Sequence, residues 1–127
     1  MGRKAMYELR VVFLCGAVMG DPKYKKKFVG ARETLQRMGY VVLDPTALPE
    51  GLQHDAYLQI TLQMLRICDG VCVFNDWTNS DGARAEIAEA IRLDLPIVRW
   101  ADFQREYAAV KRELDEISRC IDGRAEF

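Results

Sequence analysis

Short runs of apolar, often β-branched residues alternate along the chain with longer segments whose apolar residues recur every three or four positions. Runs of the first kind are typical of strands buried on both faces of a parallel sheet, and the longer segments are typical of amphipathic helices. The pattern predicts strands at 9–15, 41–43, 71–74 and 97–98. It predicts helices at 24–38, from 54 or 55 to 68, at about 83–93, and over 103–117.

Strand and helix follow one another four times, and this order indicates an α/β fold. Such an alternation predicts a parallel sheet of four to five strands with helices on both faces, a three-layer sandwich joined by right-handed crossovers. A length of 127 residues suits one domain, and the chain has no repeat, linker or low-complexity tract. We therefore expect residues 1–127 to form a single domain.

Composition narrows the classes of function. Lys and Arg number 18 against 19 Asp and Glu, so the net charge is −1 and no basic field exists to attract nucleic acid. Half of the residues are hydrophobic, but no apolar run is long enough to span a bilayer. No clean cleavage site follows the basic start Met1–Lys4. We expect a cytoplasmic protein that binds neither nucleic acid nor membrane.

The cysteines and the single histidine indicate a site without metal or cofactor. Cys15, Cys68 and Cys72 lie in apolar segments and form no C-x-x-C pair, so we expect buried, inert thiols. With His54 as the only histidine, a His-rich metal site is excluded and a Ser-His-Asp triad is disfavoured.

Parallel α/β sheets bind ligands beyond the carboxyl ends of their strands, and the loop after the first strand has suitable chemistry. Gly16 and Gly20 flank the turn, where backbone N–H groups could approach a ligand closely. An ordinary strand-to-helix turn explains the same residues equally well. The basic run Lys25–Lys27 follows, either as a solvated outer helix face or as a rim that attracts anions.

The loop after the third strand is the more informative one. Ser80 or Asn79 is a suitable N-cap for the third helix, which would direct free N–H groups towards the sheet edge. Glu86 borders the apolar face of that helix, close to its N-terminus, where we expect an available and ionised carboxylate. The competing interpretation is a solvated glutamate on a helix surface.

Three segments resemble the nucleoside 2-deoxyribosyltransferase superfamily, most closely its small phage and bacterial branch. They are Phe13–Gly20, the Trp-x-x-Ser-x-Gly-Ala-x-x-Glu segment at Trp77–Glu86 with its continuation to Ala90, and Leu95–Val98. The resemblance extends from about Val11 to Trp100. It implies a flavodoxin-like, or Rossmann-like, sheet.

The resemblance implies cleavage of the N-glycosidic bond of a nucleoside or nucleoside 5′-monophosphate. Glu86 would attack the anomeric carbon, and another base or water would resolve the glycosyl-enzyme. Ser80 matches members that receive a 5′-phosphate, whereas nucleoside-using members tend to carry Asp there. With the loop chemistry, the resemblance assigns substrate binding to Gly16, Ala17, Gly20, Asp21, Asp76, Trp77, Ser80, Gly82 and Ala83.

The sequence departs from the family pattern where a second carboxylate is usual. That stretch reads Ile60-Thr61-Leu62, so the acid role could pass to Asp76, Asp55 or His54. Phe13 replaces a frequent aromatic hydroxyl, and Ala17 replaces a Pro or Ser. Two other functions therefore stay open, namely a nucleotide-binding module without turnover and a structural protein with a vestigial site.

We expect a homo-oligomer, at least a dimer, because members of the resembled family commonly assemble. The second helix is apolar over most of its circumference, more than one sheet face can cover. Its apolar residues are Tyr57, Leu58, Ile60, Leu62, Met64, Leu65 and Ile67.

Overall fold

The computed structural model describes residues 5–125 and has the predicted order of strands and helices. The strands are β1 (Val11–Cys15), β2 (Val41–Leu43), β3 (Gly70–Val73) and β4 (Ile97–Arg99). The helices are α1 (Tyr24–Arg37), α2 (His54–Arg66), α3 (Asp81–Arg92) and α4 (Trp100–Ala125). The last helix is longer than its apolar pattern predicted, since it begins at Trp100 and continues to Ala125.

The four strands pair in parallel in the order β2-β1-β3-β4. This confirms the α/β fold with a flavodoxin-like or Rossmann-like sheet. From β1 the chain first crosses to β2, on one side of β1, and then returns to β3, on the other side of β1. A crevice therefore opens between the carboxyl ends of β1 and β3, where such sheets bind ligands.

Helices cover both faces of the sheet, as a three-layer sandwich requires. Alternate residues of a strand point to opposite faces, so Val12 and Leu14 pack on one side and Phe13 and Cys15 on the other. The first side is covered by α1 and α4, and the second by α2 and α3. The buried residues of these helices are Phe28, Ala31, Leu35 and Phe103 on the first side, and Leu65, Ala83, Ile87 and Ala90 on the second.

The buried cysteines are confirmed as free thiols. Cys15, Cys68 and Cys72 lie inside the molecule, whereas Cys120 is exposed on α4. Burial raises the pKa of the Cys68 thiol to about 12 and those of Cys15 and Cys72 further still. Reactive cysteines are exposed thiolates, so these three are unreactive at neutral pH.

Part of the apolar surface of α2 lies in water. Leu65 packs into the core, but Ile60 is 38% exposed and Ile67 is 71% exposed. Association through this face stays a prediction. Among residues 5–125 no helix combines the length and the apolar character that crossing a bilayer requires.

Candidate active site

A cavity of about 830 Å³ opens at the carboxyl edge of the sheet, and we call it the edge cavity. Its wall comes from the loops after β1 and β2, the start of α1, the first two turns of α2, and the beginning of α3. Ligand pockets for small molecules usually have volumes of roughly 300–1,000 Å³. The edge cavity can therefore hold a small organic molecule.

Glu86 contributes a carboxyl group to the wall of this cavity. It lies in the second turn of α3 and is only 8% exposed. The buried thiol of Cys15, at the end of β1, donates to its Oε1 at 3.4 Å. Thr61 of α2 is its other polar neighbour, with a hydroxyl that also lies 3.3 Å from the carbonyl of Leu58. The interpretation of Glu86 as a solvated helix residue is therefore wrong.

The expectation that Glu86 is ionised did not include the effect of this burial. Burial raises the pKa of this carboxyl to about 7, although hydrogen bonds with Thr61 and Cys15 oppose the rise. The cause is that a carboxylate loses hydration energy when apolar groups surround it. Burial thus favours the protonated form of Glu86 more than in an exposed glutamate.

Ser80 is the N-cap of α3, as predicted, and Asn79 is not. Its side-chain oxygen accepts a hydrogen bond from the Ala83 N–H at 3.1 Å. Asp81 also borders the cavity, but 82% of its side chain is exposed and it pairs with Arg84. The first turn of α3 therefore presents the Ser80 hydroxyl and free N–H groups to the edge cavity, beside an Asp81 carboxylate that Arg84 pairs.

Gly16 lines the cavity at the point where β1 ends, and only glycine fits there. A Cβ atom at this position would lie 2.6 Å from Cδ2 of Phe74 and 3.2 Å from Oδ1 of Asp76. The glycine is thus explained by close packing between the loops after β1 and β3. This packing brings the β1 backbone next to the start of α3.

A cluster of charges, which we call the loop brace, joins the same two loops behind the cavity. Asp76 accepts from the Ala17 N–H at 3.0 Å and pairs with Lys27 at 2.5 Å. Lys27 also pairs with Asp21 at 3.2 Å and donates to the Ala17 carbonyl at 3.3 Å. The solvated outer face expected for 25–27 is wrong for Lys27, whose side chain is 24% exposed and folds over the Phe28 and Phe74 rings.

The structure brings together half of the residues predicted to form the site. Those in the wall of the edge cavity are Gly16, Ser80, Gly82, Ala83 and Glu86. Ala17, Asp21 and Asp76 lie in the loop brace, Gly20 forms a turn with φ +83°, and Trp77 packs against the apolar layer under α2 and α3. Direct substrate contacts of this second group stay predictions.

The three candidates for the acid role have different positions. His54, the first residue of α2, lines the cavity, and its Cε1 lies 3.6 Å from where a Cβ on Gly82 would stand. Asp55 is exposed and outside the wall, and Asp76 is held by Lys27 and the Ala17 N–H. His54 is therefore the candidate whose position suits proton transfer within the cavity.

The sequence prediction assigned no site residue to the loop after β2, which forms part of the wall. This loop is ordered by Asp44, which is buried, accepts from Thr46 N at 2.8 Å and pairs with Arg32 at 3.0 Å. The Asp-Pro-Thr sequence is a signal for such a side-chain turn, because Asp often caps its own backbone two residues later. The loop supplies Thr46 and Glu50 to the wall, and Glu50 pairs with Lys25 at 2.6 Å.

The fold and the cavity define an α/β protein with a pocket at the switch point of a parallel sheet. Residues 10–99 match the family model described as "Domain of unknown function (DUF4406)", and the chain belongs to that family. No curated protein matches the sequence.

One solved structure with the same fold is a "2-desoxiribosyltransferase from Leishmania mexicana", with a TM-score of 0.58 and 16% sequence identity. The match covers 71% of this chain and 63% of that chain, so this chain spans less than two thirds of the enzyme's length. The likeness establishes a shared fold.

Proposed function

We propose that this protein cleaves or transfers the N-glycosidic bond of a nucleoside or nucleoside 5′-monophosphate, with Glu86 as the nucleophile. The observation that carries the proposal is the buried carboxyl of Glu86 in the wall of the edge cavity. The fold shared with a deoxyribosyltransferase supports it. So does the Trp77–Glu86 segment, which places Ser80, Gly82 and Ala83 in the same wall.

The proposed reaction has two displacements at the anomeric carbon. An oxygen of the Glu86 carboxylate bonds to this carbon while its bond to the base nitrogen breaks and the electron pair leaves with the base. A proton donor neutralises the departing base. Water or a second base then attacks the same carbon, gives up a proton to the group that protonated the first base, and releases the Glu86 carboxylate.

His54 is the proposed proton donor. It lies in the cavity wall against the start of α3, whereas Asp76 is paired with Lys27 in the loop brace. General acid catalysis typically contributes ~10²–10⁴-fold. A His54→Gln variant is therefore expected to lose about this factor for bases that need protonation, and less for bases that leave as stable anions.

A 5′-phosphate is the proposed distal group of the substrate. The Ser80 hydroxyl accepts from Ala83 N and keeps its own proton for donation, and the N-terminus of α3 favours negative charge. Lys25 in the cavity wall, which pairs with Glu50, would attract the same anion, to an extent that salt reduces.

Binding without turnover is the second candidate function, and one observation favours it. Thr61 stands beside Glu86 where the resembled family has a carboxylate, and Glu86 has a pKa of about 7. A neutral Glu86 is a hydrogen-bond donor rather than a nucleophile. In this case nucleotides would bind in the edge cavity and leave unchanged.

The test is incubation with nucleosides and their 5′-monophosphates, followed by chromatography of the free base. The proposal predicts base release by the wild type and none by Glu86→Gln, which removes the nucleophile but keeps size and packing. Glu89→Gln is the matched control, because Glu89 lies on the same helix and pairs with Arg92 and Arg66. It should retain wild-type activity.

Thermal shift measured on the same ligands separates the two functions. Stabilisation without base release supports the binding function, because a ligand that binds only the folded state raises its stability. Equal base release by the wild type and a folded Glu86→Gln variant would contradict the proposed mechanism. Neither release nor stabilisation by any member of the panel would contradict both functions.

A further inference from the structure

The second half of α4 leaves the body of the molecule, by which we mean the sheet with α1–α3. Phe103 is buried in the core, but every side chain from Val110 to Asp122 is exposed. An apolar stripe nevertheless continues along this free segment. It consists of Val110, Leu114, Ile117 and Ile121, which are 45%, 60%, 55% and 58% exposed.

The remaining surface of the free segment is strongly polar. Its outer side carries Arg112, Asp115, Glu116, Arg119 and Asp122. A helix with one apolar stripe and one charged side needs an apolar partner along the stripe, because an isolated helix of this length is marginally stable in water. The stripe has the spacing 4-3-4, which is the repeat of residues that interlock between two supercoiled helices.

The free segment is complementary to itself when two copies run antiparallel. Leu114 of one copy then lies opposite Ile117 of the second, and Val110 lies opposite Ile121. All four layers are apolar, and a two-fold axis relates them as two pairs of equivalent layers. Beside the stripe, Glu113 faces Cys120 of the other copy and Lys111 faces Ser118, so no like charges meet.

The body excludes the parallel arrangement. Phe103 belongs to the same stripe and faces the core of its own protomer, so the body lies on the stripe side of α4. In a parallel pair both bodies would lie at the same end, on the facing sides of the two helices. They would therefore clash. In an antiparallel pair the bodies stand at opposite ends.

We propose that a second copy of this chain covers the stripe, so that two α4 helices form a short antiparallel coiled coil. The paired segment of twelve residues is ~18 Å long, since a helix rises ~1.5 Å per residue. An interface this short is at the small end for stable complexes, so the dimer should dissociate on dilution. This dimer uses α4 rather than the exposed face of α2, and it does not depend on the proposed function.

The mass in solution tests the association. Light scattering of the wild type at 100 µM should give twice the chain mass of 14.5 kDa. Leu114→Glu/Ile117→Glu should give a monomer with an unchanged near-ultraviolet circular dichroism spectrum, because both side chains are exposed. Arg112→Glu/Arg119→Glu on the outer side and Ile67→Glu on α2 are the controls and should remain dimers.

Disulfide trapping tests the direction. Cys120 is the exposed cysteine among residues 5–125, so Cys120→Ser provides a background with buried thiols only. In this background Val110→Cys plus Ile121→Cys should cross-link two chains on oxidation, whereas each single variant should not. Cross-linking by the single variants would show a parallel pair and overturn the proposal. A wild-type monomer at 100 µM, or a dimer abolished only by Ile67→Glu, would overturn it as well.

Discussion

The proposed chemistry depends on the buried carboxyl group of Glu86, and its burial also affects the stability of the protein. Glu86 is surrounded by the sheet, α2 and α3, with the Cys15 thiol and the Thr61 hydroxyl as its polar neighbours. The burial that raises its pKa also makes its ionised form unfavourable in the folded state. Nucleophilic attack needs this ionised form, so reactivity and stability are opposed at this residue.

Replacing Glu86 by Gln should therefore change the pH dependence of stability. The folded pKa of about 7 lies above the ordinary value of 4.5, so the stabilising protonated form is complete below pH 4.5 and is lost as the pH rises through 7. At ~1.4 kcal/mol per pH unit, the wild type should lose about 3 kcal/mol relative to Glu86→Gln over this range. Urea unfolding of both proteins at pH 4.5, 6 and 8 measures the difference. A constant difference across these pH values would contradict the raised pKa.

The Ser80 side chain should decide whether a phosphate is accepted. A hydrogen bond to a charged group contributes ~1.5–3 kcal/mol, so Ser80→Ala should weaken 5′-monophosphate binding tenfold or more and nucleoside binding little. Ser80→Asp is the informative companion, because Asp also caps a helix but repels a phosphate. The Ser80→Asp variant should lose nucleotide binding and retain nucleoside binding. Calorimetric titration of a nucleoside and its 5′-monophosphate checks this. Equal losses of affinity for both ligands would show that Ser80 acts only as a helix cap.

Among the elements, the turn from β1 to α1 depends most on close packing. It passes so near the loop after β3 that Gly16 has no room for a Cβ beside Phe74, and the loop brace fixes Ala17 to Asp76. The two loops that meet at the switch point are thus joined by packing on one side and by charges on the other. This junction supports the wall in which Glu86 lies.

Gly16→Ala should destabilise the protein by about 1–3 kcal/mol, because Phe74 or the backbone has to move. Gly30→Ala is the matched control. Gly30 lies within α1 with open space around it, so alanine there should stabilise by up to ~1 kcal/mol through its helix propensity. Thermal unfolding of the two variants tests the contrast. A Gly16→Ala protein as stable as the wild type would show that the loops can separate freely.

At the scale of the whole molecule, the sequence predicts the architecture well because strand burial leaves a strong pattern. The near-continuous apolar run in β1 reflects burial on both faces, and the cap at Ser80 marks the start of α3. The same signals place the switch point and the segment that contains Glu86. These features are local, so they can be read along the chain.

The rest of the site depends on contacts between distant residues. The Lys27 side chain turns inward because it pairs with Asp76, 49 positions later in the chain. A run of three lysines does not predict this pairing. The pairing of Cys15 with Glu86 spans 71 positions and is likewise absent from local patterns. The raised pKa of Glu86 follows from the same packing, which the expectation drawn from the helix N-terminus alone did not include.

Intact-protein mass spectrometry of the quenched reaction tests the central proposal most directly. We expect wild-type protein mixed with a nucleoside 5′-monophosphate that it turns over to gain the mass of one glycosyl 5′-phosphate group. Peptide mapping should place this group on Glu86, and Glu86→Gln should gain nothing under the same conditions. Base release by the wild type with no adduct on Glu86, when the quench is faster than turnover, or an adduct on another residue, would contradict the account.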